Sequence, residues 1–306
     1  MPFFSVIISV YNKEDYVKST IDSVLNQSFK DFEIIIVNDG STDNSLDIIK
    51  NTEDSRIVII NKENNGVSAA RNTGIKAAKA NFIALLDGDD LWDKDYLKFM
   101  SQAISKYPEQ SVFASALAQK YDHKTVPVTY SFDQKSLFKI HDYFESSLKY
   151  SLLSSSSIVF KKDILETIGY FDTNLISGED TDQWIRLGIY YKIVFINEVL
   201  AYYRYTSSGL SITTFSLDKK PKFDKYFKEE KENFFLKKFL DLNRYSLAIL
   251  AKMVNDTNSY SYYISHLTRK NLNLRQRVLL ASPKWALKLL IKIKSLKGEK
   301  VYYPTT

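Results

Sequence analysis

The 306-residue sequence contains no cysteine, which excludes disulfide bonds, zinc–thiolate sites and cysteine nucleophiles. Histidine is also rare: His123, His141 and His266 lie far apart, so we expect ordinary surface or packing residues rather than metal ligands. No apolar run approaches the ~18 residues needed to span a membrane. The first residues lack the basic and apolar segments of a signal peptide. We therefore expect a soluble, cytoplasmic protein.

Glycine-rich phosphate loops are absent as well. Neither the G-x-G-x-x-G pattern nor the Walker pattern occurs in the sequence, which disfavours the usual dinucleotide and ATP sites. A metal ion would then have to do more of any phosphate binding. The composition is otherwise that of a globular protein, with 44% hydrophobic and 25% charged residues. The length suits one large domain or two smaller ones.

The net charge of +6 is distributed unevenly along the chain. Residues 1–216 carry 22 basic and 28 acidic side chains, whereas residues 217–306 carry 20 and 8. Such a basic C-terminal region suggests an anionic partner, either a membrane or a nucleic acid. A predicted helix near its end places lysines on one stripe and apolar residues beside them: Lys284, Lys288 and Lys292, then Trp285, Leu289, Ile293 and Leu296. This pattern suits an amphipathic helix on an anionic membrane, with a packed helical cap as the alternative.

The N-terminal part alternates between buried strands and helices. The apolar runs predict strands at 4–10, 32–37, 56–60 and 82–86, and the helical periodicity predicts helices at 14–26, 44–51 and 67–79. Short connections between alternating strands and helices are typical of a doubly wound α/β domain. Later predictions are helices at 96–106 and 164–168, and strands at 111–119, 158–160, 192–196 and 200–205. Residues 123–150 show no clear pattern.

Polar side chains follow three of these strands, at Tyr11-Asn12, Asn38-Asp39 and Asp87–Asp90. The carboxyl ends of parallel strands form the edge of a sheet where ligands bind. Crowded carboxylates repel one another unless a cation or a proton intervenes, and oxygen ligands suit Mg²⁺ or Mn²⁺. We interpret Asp87-Gly88-Asp89 as a site for a divalent metal and a nucleoside diphosphate. The alternative is an ordinary polar turn.

A second acidic segment, residues 177–187, begins a predicted helix. Asp180 and Trp184 share one face of it, and Asp182 pairs with Arg186 four residues later. Acids in a first helical turn are also favoured by the helix dipole. The segment therefore has two interpretations, a capped helix with an internal ion pair or the position of a catalytic base.

Taken together, these segments resemble the family 2 glycosyltransferases of GT-A fold, of the bacterial surface-polysaccharide type. The matching motifs are Ser-Val-Ile-Ile-Ser-Val-Tyr-Asn (5–12), Val-Asn-Asp-Gly-Ser-Thr-Asp (37–43), Asn-Asn-Gly-Val-Ser-Ala-Ala-Arg-Asn-Thr-Gly-Ile (64–75), Ile-Ala-Leu-Leu-Asp-Gly-Asp-Asp (83–90) and Gly-Glu-Asp-Thr-Asp-Gln-Trp-Ile-Arg-Leu (178–187). The resemblance covers about residues 4–210. It implies a GT-A domain at 1–215, a Rossmann-like nucleotide-binding sheet with helices on both faces, followed by a basic helical region at 216–306.

The resemblance also implies roles for individual residues. The base pocket would be lined by Tyr11 and Asn12, with Asp39 on the uracil or ribose and Arg71 near the nucleotide. Asp87 and Asp89 would form the D-x-D motif, with Asp87 near the ribose and Asp89 on the metal, Mn²⁺ or Mg²⁺. Asp180 would be the general base. Many relatives have a histidine near the metal where this chain has Thr206, which puts that contact in doubt.

The implied activity is transfer of a hexose or N-acetylhexosamine, with inversion, from a nucleotide sugar (UDP-linked) to a hydroxyl of a saccharide or lipid-linked acceptor. The enzyme would be cytoplasmic, and peripheral at the inner face of the cell membrane if residues 269–306 contact it. A non-catalytic nucleotide-binding or membrane-scaffold protein of the same fold is the alternative. A nucleotidyltransferase is disfavoured because no basic glycine-rich loop follows the first strand. No nucleic-acid-binding module is recognisable.

Overall fold

A computed structural model of the chain describes residues 1–205, 217 and 219–296, with 291–296 described by their backbone alone. The chain divides into two compact units, Met1–Ile212 and Thr213–Thr306. The domain boundary predicted between residues 215 and 216 lies outside the described residues.

The described part of the first unit is built on a ten-stranded sheet. Its strands are β1 Phe4–Val10, β2 Phe32–Asp39, β3 Ile57–Lys62, β4 Phe82–Asp87, β5 Leu91–Trp92, β6 Val112–Lys120, β7 Thr125–Pro127, β8 Phe138–His141, β9 Ile158–Lys161 and β10 Ile193–Arg204. Its helices are α1 Val17–Leu25, α2 Ser45–Lys50, α3 Val67–Ala77, α4 Tyr96–Lys106, α5 Tyr143–Ser146, α6 Leu165–Ile168 and α7 Glu179–Tyr190. The predicted α/β class is confirmed.

The strands lie in the order β3-β2-β1-β4-β9-β6-β10-β5, with β7 beside β6 and β8 beside β10. Strands β3, β2, β1 and β4 are parallel, and Ile7 of β1 pairs with Ile35 of β2 and Leu85 of β4. The side chains of β2 are buried along its whole length, because isoleucine and valine face helices on both sides of the sheet. The predicted parallel half is therefore present.

The remainder of the sheet is mixed. Strand β9 runs antiparallel to both of its neighbours, β4 and β6, and β6 is parallel to β10. Strands β1, β2, β4, β6 and β10 consequently all end at the same edge. The two strands predicted at 192–196 and 200–205 are one strand, β10, whose register shifts on both sides of Val199. The bulge allows its first half to pair with β8 and its second half with β5.

Helix α3 lies unusually close to the sheet. Gly74 permits this approach, because a Cβ atom at that position would lie 2.3 Å from Cγ2 of Ile7. Arg71 lies about one helical turn before Gly74 and reaches Asp87 at the end of β4.

The second unit is helical in its described part. Its helices are α8 Glu229–Glu232, α9 Phe234–Val254, α10 Thr257–Ser265, α11 Leu274–Ala281 and α12 Lys284–Leu296. Side-chain caps at Asn233, Asp256 and Asn273 begin three of them, as their short polar side chains favour. Helix α9 supplies much of the core, including Leu236, Phe239 and Leu240. Among the described residues, no helix combines the length and apolar character that crossing a membrane requires.

Candidate active site

The Asp87–Asp90 segment forms a tight turn directly after β4. The amide of Gly88 donates to the carbonyl oxygen of Ser9 at 3.0 Å, and the hydroxyl of Thr20 donates to the carbonyls of Gly88 and Asp90 at 3.1 and 2.8 Å. A Cβ atom on Gly88 would lie 2.9 Å from the Ser9 carbonyl oxygen. Glycine therefore lets the turn pack against the end of β1.

Asp89 lies beside a cation that the sequence reasoning did not single out. Its Oδ2 atom is 2.5 Å from Nζ of Lys13, and both side chains are largely buried. Burial raises the pKa of Asp89, the Lys13 ammonium opposes that rise, and the charge of Asp87 adds to it. The predicted metal ligand is thus paired with an ammonium group.

Asp90 serves the structure of the turn. It is 1% exposed, its Oδ2 accepts from the hydroxyl of Ser156 at 2.5 Å, and its Oδ1 accepts from the amide of Arg204 at 2.9 Å. Burial and the neighbouring charges of Asp89 and Asp87 raise its pKa well above the usual value. Asp90 therefore ties the turn to the serine segment before β9 and to the end of β10. Ser156 also accepts from the amide of Asp87 at 3.2 Å.

Arg71 joins the two acidic segments of the sequence. Its guanidinium lies 2.8 Å from Oδ1 of Asp87 and 3.0 Å from Oε1 of Glu179, the first residue of α7. Burial alone would lower the pKa of Arg71, but the charges of Asp87 and Glu179 raise it above its usual value. The arginine therefore remains a cation and holds the start of α7 against the turn after β4.

Asp180 follows Glu179 in the first turn of α7. The helix begins after Gly178, whose φ of 82° is one that glycine adopts without strain. Oδ1 of Asp180 accepts from the amide of Thr181 at 2.6 Å and from its hydroxyl at 3.3 Å. Burial raises the pKa of Asp180, and Arg71 opposes that rise. Burial and the charge of Asp180 raise the pKa of Glu179 to about 7. The structure thus brings Asp180 to the same cluster as Arg71 and Asp87.

The residues predicted to bind the base lie at the ends of β1 and β2. Tyr11 is 42% exposed. The side chain of Asn12 bonds to Thr42, accepting from its amide at 2.8 Å, so it shapes the loop after β2. Asp39 is 2% exposed, pairs with Lys62, and accepts from the amide of Gly66 at 2.8 Å. Asn12 and Asp39 therefore hold the backbone of this end of the edge, and Tyr11 presents a ring to solvent.

The donor set around Asp89 determines what metal site the chain can offer. Among the described residues, no three His, Cys, Asp or Glu side chains are grouped as metal ligands. Thr206, which replaces the histidine of many relatives, lies outside the described residues. A hard cation that keeps several waters needs only one or two carboxylates plus phosphate oxygens. Asp89 supplies one such carboxylate, so the residues present are compatible with Mg²⁺ or Mn²⁺, and the metal site stays a prediction.

A separate open groove, with a volume of about 530 Å³, lies along α1 and β5. None of the predicted site residues lines it; its lining residues are Ser19, Asp22, Ser23, Asn26, Leu91, Trp92, Asp93, Lys94, Lys120 and Tyr202. The groove and the acidic cluster are therefore separate features of the first unit.

Solved structures share the fold of this chain. Residues 1–349 of Staphylococcus aureus TarS, solved in complex with UDP, match 98% of this chain and 92% of that chain. The TM-score is 0.67 at 20% identity. This likeness shows the fold, and the predicted GT-A architecture with a C-terminal helical region is confirmed.

Residues 5–169 match the family described as Glycosyl transferase family 2. The chain belongs to that family. It is 31% identical over 220 residues to the glycosyltransferase GlyA of Streptococcus pneumoniae, over 68% of this chain and 31% of that protein. The chain thus spans about a third of the pneumococcal protein's length. It is also 32% identical over 219 residues to WfaP of Escherichia coli, a UDP-Glc:alpha-D-GlcNAc-diphosphoundecaprenol beta-1,3-glucosyltransferase, over 70% of this chain and 82% of that protein.

Proposed function

We propose that the chain is an inverting glycosyltransferase that moves a hexose or N-acetylhexosamine from a UDP-sugar to a hydroxyl of a saccharide or lipid-linked saccharide. The observation that supports this most directly is the Asp87–Arg71–Glu179 bridge, because it sets Asp180 beside the turn that carries Asp89. The relatives agree in substrate class. WfaP is described with a UDP-glucose donor and a diphosphoundecaprenol-linked acceptor, and TarS has been solved with UDP and with UDP-GlcNAc.

The donor lies along the edge formed by the ends of β1, β2 and β4. Tyr11 contacts the uracil, while Asn12 and Asp39 fix the loops that form its pocket. Asp87, held by Arg71, faces the ribose. When bound to Asp89, Mn²⁺ or Mg²⁺ stabilises the negative charge of the departing nucleoside diphosphate.

Asp180 removes the proton of the attacking hydroxyl. Its Oδ1 is engaged by Thr181, and no described residue donates a hydrogen bond to Oδ2, which leaves that oxygen for the acceptor. The raised pKa of Glu179 favours a proton on Glu179 near neutral pH, which reduces its repulsion of an ionised Asp180. Attack from the face opposite the leaving diphosphate inverts the anomeric centre, so an α-linked donor gives a β-linked product.

Replacing the base tests this proposal. Asp180→Asn should lower the rate of UDP release by about 10²- to 10⁴-fold, the range typical of general-base catalysis. UDP affinity measured by calorimetry should change little, because Asp180 faces the acceptor. The control is Asp172→Asn, since the described hydrogen bonds of that loop carboxylate are local, to Asn174. Near-normal turnover by Asp180→Asn would remove Asp180 from the mechanism.

The second unit presents a surface suited to a lipid-linked acceptor. Trp285 and Leu289 on α12 are 70% and 51% exposed, whereas Leu287 between them is buried. Lys288 is exposed beside them. We propose that this face of α12 lies on an anionic membrane, because apolar side chains flanked by lysine favour that interface. Residues 297–306 of the predicted membrane region lie outside the described residues.

A further inference from the structure

Within the described part of the chain, the acidic cluster contains more carboxylates than cationic side chains bonded to them. Asp87, Asp89, Asp90, Glu179 and Asp180 lie along this edge, and the cationic side chains that the structure pairs with them are those of Arg71 and Lys13. A nucleoside diphosphate would add negative charge to the same place. Any cationic side chain in this cluster therefore affects both the carboxylates and the substrate. Arg71 already has a role in the proposed function, because it holds Asp87, whereas Lys13 has none.

The backbone at Lys13 is fixed in three places. Asn12 has a φ of 51°, a conformation that asparagine tolerates, and its side chain bonds to Thr42. The amide of Lys13 donates to the hydroxyl of Ser45 at 2.7 Å. The next amide, that of Glu14, donates to Oδ2 of Asp43 at 3.0 Å. The fixed backbone of the turn after β1 therefore directs the lysine side chain toward Asp89. The stem of a lysine side chain is flexible, which allows its ammonium to move.

We propose that Lys13 occupies Asp89 in place of the metal until the nucleotide arrives, and then binds the diphosphate. This inference depends on the proposed function, because it takes Asp89 as the metal ligand. An ammonium 2.5 Å from Oδ2 and a divalent ion on the same oxygen repel each other, so the two compete. The diphosphate resolves the competition, since it offers the ammonium a new anionic partner and the metal additional oxygens.

The consequence is strong coupling between metal and nucleotide. Without nucleotide, metal binding must displace Lys13 and is weak. With nucleotide, Lys13 has moved to the phosphates and the metal binds Asp89 directly. Coupling is reciprocal, so the metal strengthens nucleotide binding by the same factor. Lys13 is in this sense a donor-binding residue that keeps Asp89 in place before binding.

The experiment measures Mn²⁺ binding to the full chain by electron paramagnetic resonance, with and without UDP, and UDP binding in EDTA by calorimetry. Lys13→Met should tighten Mn²⁺ binding in the absence of UDP by about fivefold or more, and weaken UDP binding in EDTA by a similar factor. The factor by which UDP strengthens Mn²⁺ binding should fall. Lys13→Arg retains a cation and should keep metal binding weak without UDP. The control is Lys18→Met, because Lys18 pairs with Asp22 on the exposed side of α1.

The outcomes separate the two proposals. If the unchanged chain binds neither UDP nor Mn²⁺, the proposed function fails. If it binds both, and Lys13→Met leaves Mn²⁺ affinity unchanged or weakens it without UDP, only the assignment of Lys13 is overturned. Should the methionine variant be unstable, Lys13→Gln provides the same comparison, because it removes the charge and can still donate a hydrogen bond to Asp89.

Discussion

Replacing Arg71 by methionine would break the bridge that joins the two acidic segments. Its guanidinium is buried and bonds Asp87 at 2.8 Å and Glu179 at 3.0 Å. Methionine has similar length and fits a buried site, so the main loss is the charge and its hydrogen bonds. Two carboxylates would then lack their counter-ion. The effect is confined to the first unit, where all three residues lie.

The loss of unfolding free energy expected for Arg71→Met depends on how deeply each carboxylate is buried. The side chain of Asp87 is 30% exposed and can recover water, whereas that of Glu179 is 11% exposed. Most of the loss therefore comes from Glu179. At pH values where Glu179 is ionised, leaving its buried charge without a partner costs up to about 3–5 kcal/mol of unfolding free energy. Losing the contact of Arg71 with the ring of Phe171, 5.3 Å away, adds about 0.5–1 kcal/mol.

The loss of unfolding free energy in Arg71→Met should depend on pH. Burial already raises the pKa of Glu179 to about 7, and removing Arg71 raises it further. The folded variant then binds a proton that the unfolded chain does not, so lowering the pH relieves the variant. We expect a smaller loss at about pH 6 than at about pH 8.

Urea unfolding followed by tryptophan fluorescence measures the unfolding free energy of Arg71→Met. The experiment uses a Trp285→Phe background. The remaining tryptophans, Trp92 and Trp184, both lie in the first unit. The control is Arg56→Met, because Arg56 pairs with Asp54 at 2.8 Å in a partly exposed position and lies 4.5 Å from the ring of Phe32, so its loss should cost at most about 2 kcal/mol. A loss for Arg71→Met that equals the control's, or that is the same at both pH values, would refute the reasoning.

Two further predictions concern Glu179 and the second unit. The folded pKa of Glu179, about 7, lies above the usual 4.5, so this group makes the unfolding free energy fall as pH rises between those values. Glu179→Gln should remove up to about 3 kcal/mol of that fall in urea titrations, and a variant with the unchanged pH dependence would contradict it. Trp285→Gln with Leu289→Gln should abolish co-flotation with anionic liposomes, whereas Tyr190→Ser, an equally exposed aromatic of the first unit, should not. If the variant with both glutamines floats with the liposomes as well as Tyr190→Ser does, α12 has no membrane role.

Local sequence determined the parallel half of the sheet because its signals do not depend on distant residues. Strand β1 has the predicted bounds, and so does helix α4, since continuous apolar runs and helical spacing are both read over short windows. Strand β2 extends two residues beyond its predicted end, to Asp39, because Asn38 and Asp39 continue the pairing with β3. Polar residues at the end of a strand interrupt the apolar run, so the apolar pattern predicts the end of the strand too early.

The rest depends on tertiary contacts that no local pattern contains. The bulge at Val199 makes one strand of two predicted ones, and it is stabilised by pairing with β8 and β5 from elsewhere in the chain. Ser156 meets Asp90 across 66 residues, and Lys13 meets Asp89 across 76. The Tyr11–Asn12 motif indicated the turn that contains Lys13. The direction in which the Lys13 side chain points depends on the bond between Asn12 and the loop after β2.

An acidic edge can serve an anionic substrate because several of its carboxylates are bonded to other groups of the protein. Asp90 is bonded on both oxygens by Ser156 and the Arg204 amide, and Asp39 by Lys62 and backbone amides. The other four acids of the cluster each have a single oxygen engaged by the described side chains, and they differ in the partner of that oxygen. Arg71 bonds both Asp87 and Glu179, whereas Asp89 bonds the Lys13 ammonium and Asp180 bonds Thr181. Our proposal gives a metal to Asp89 and a proton to Asp180, the two acids that Arg71 does not bond. The partner of each carboxylate is therefore a stronger guide to roles here than the number of acids.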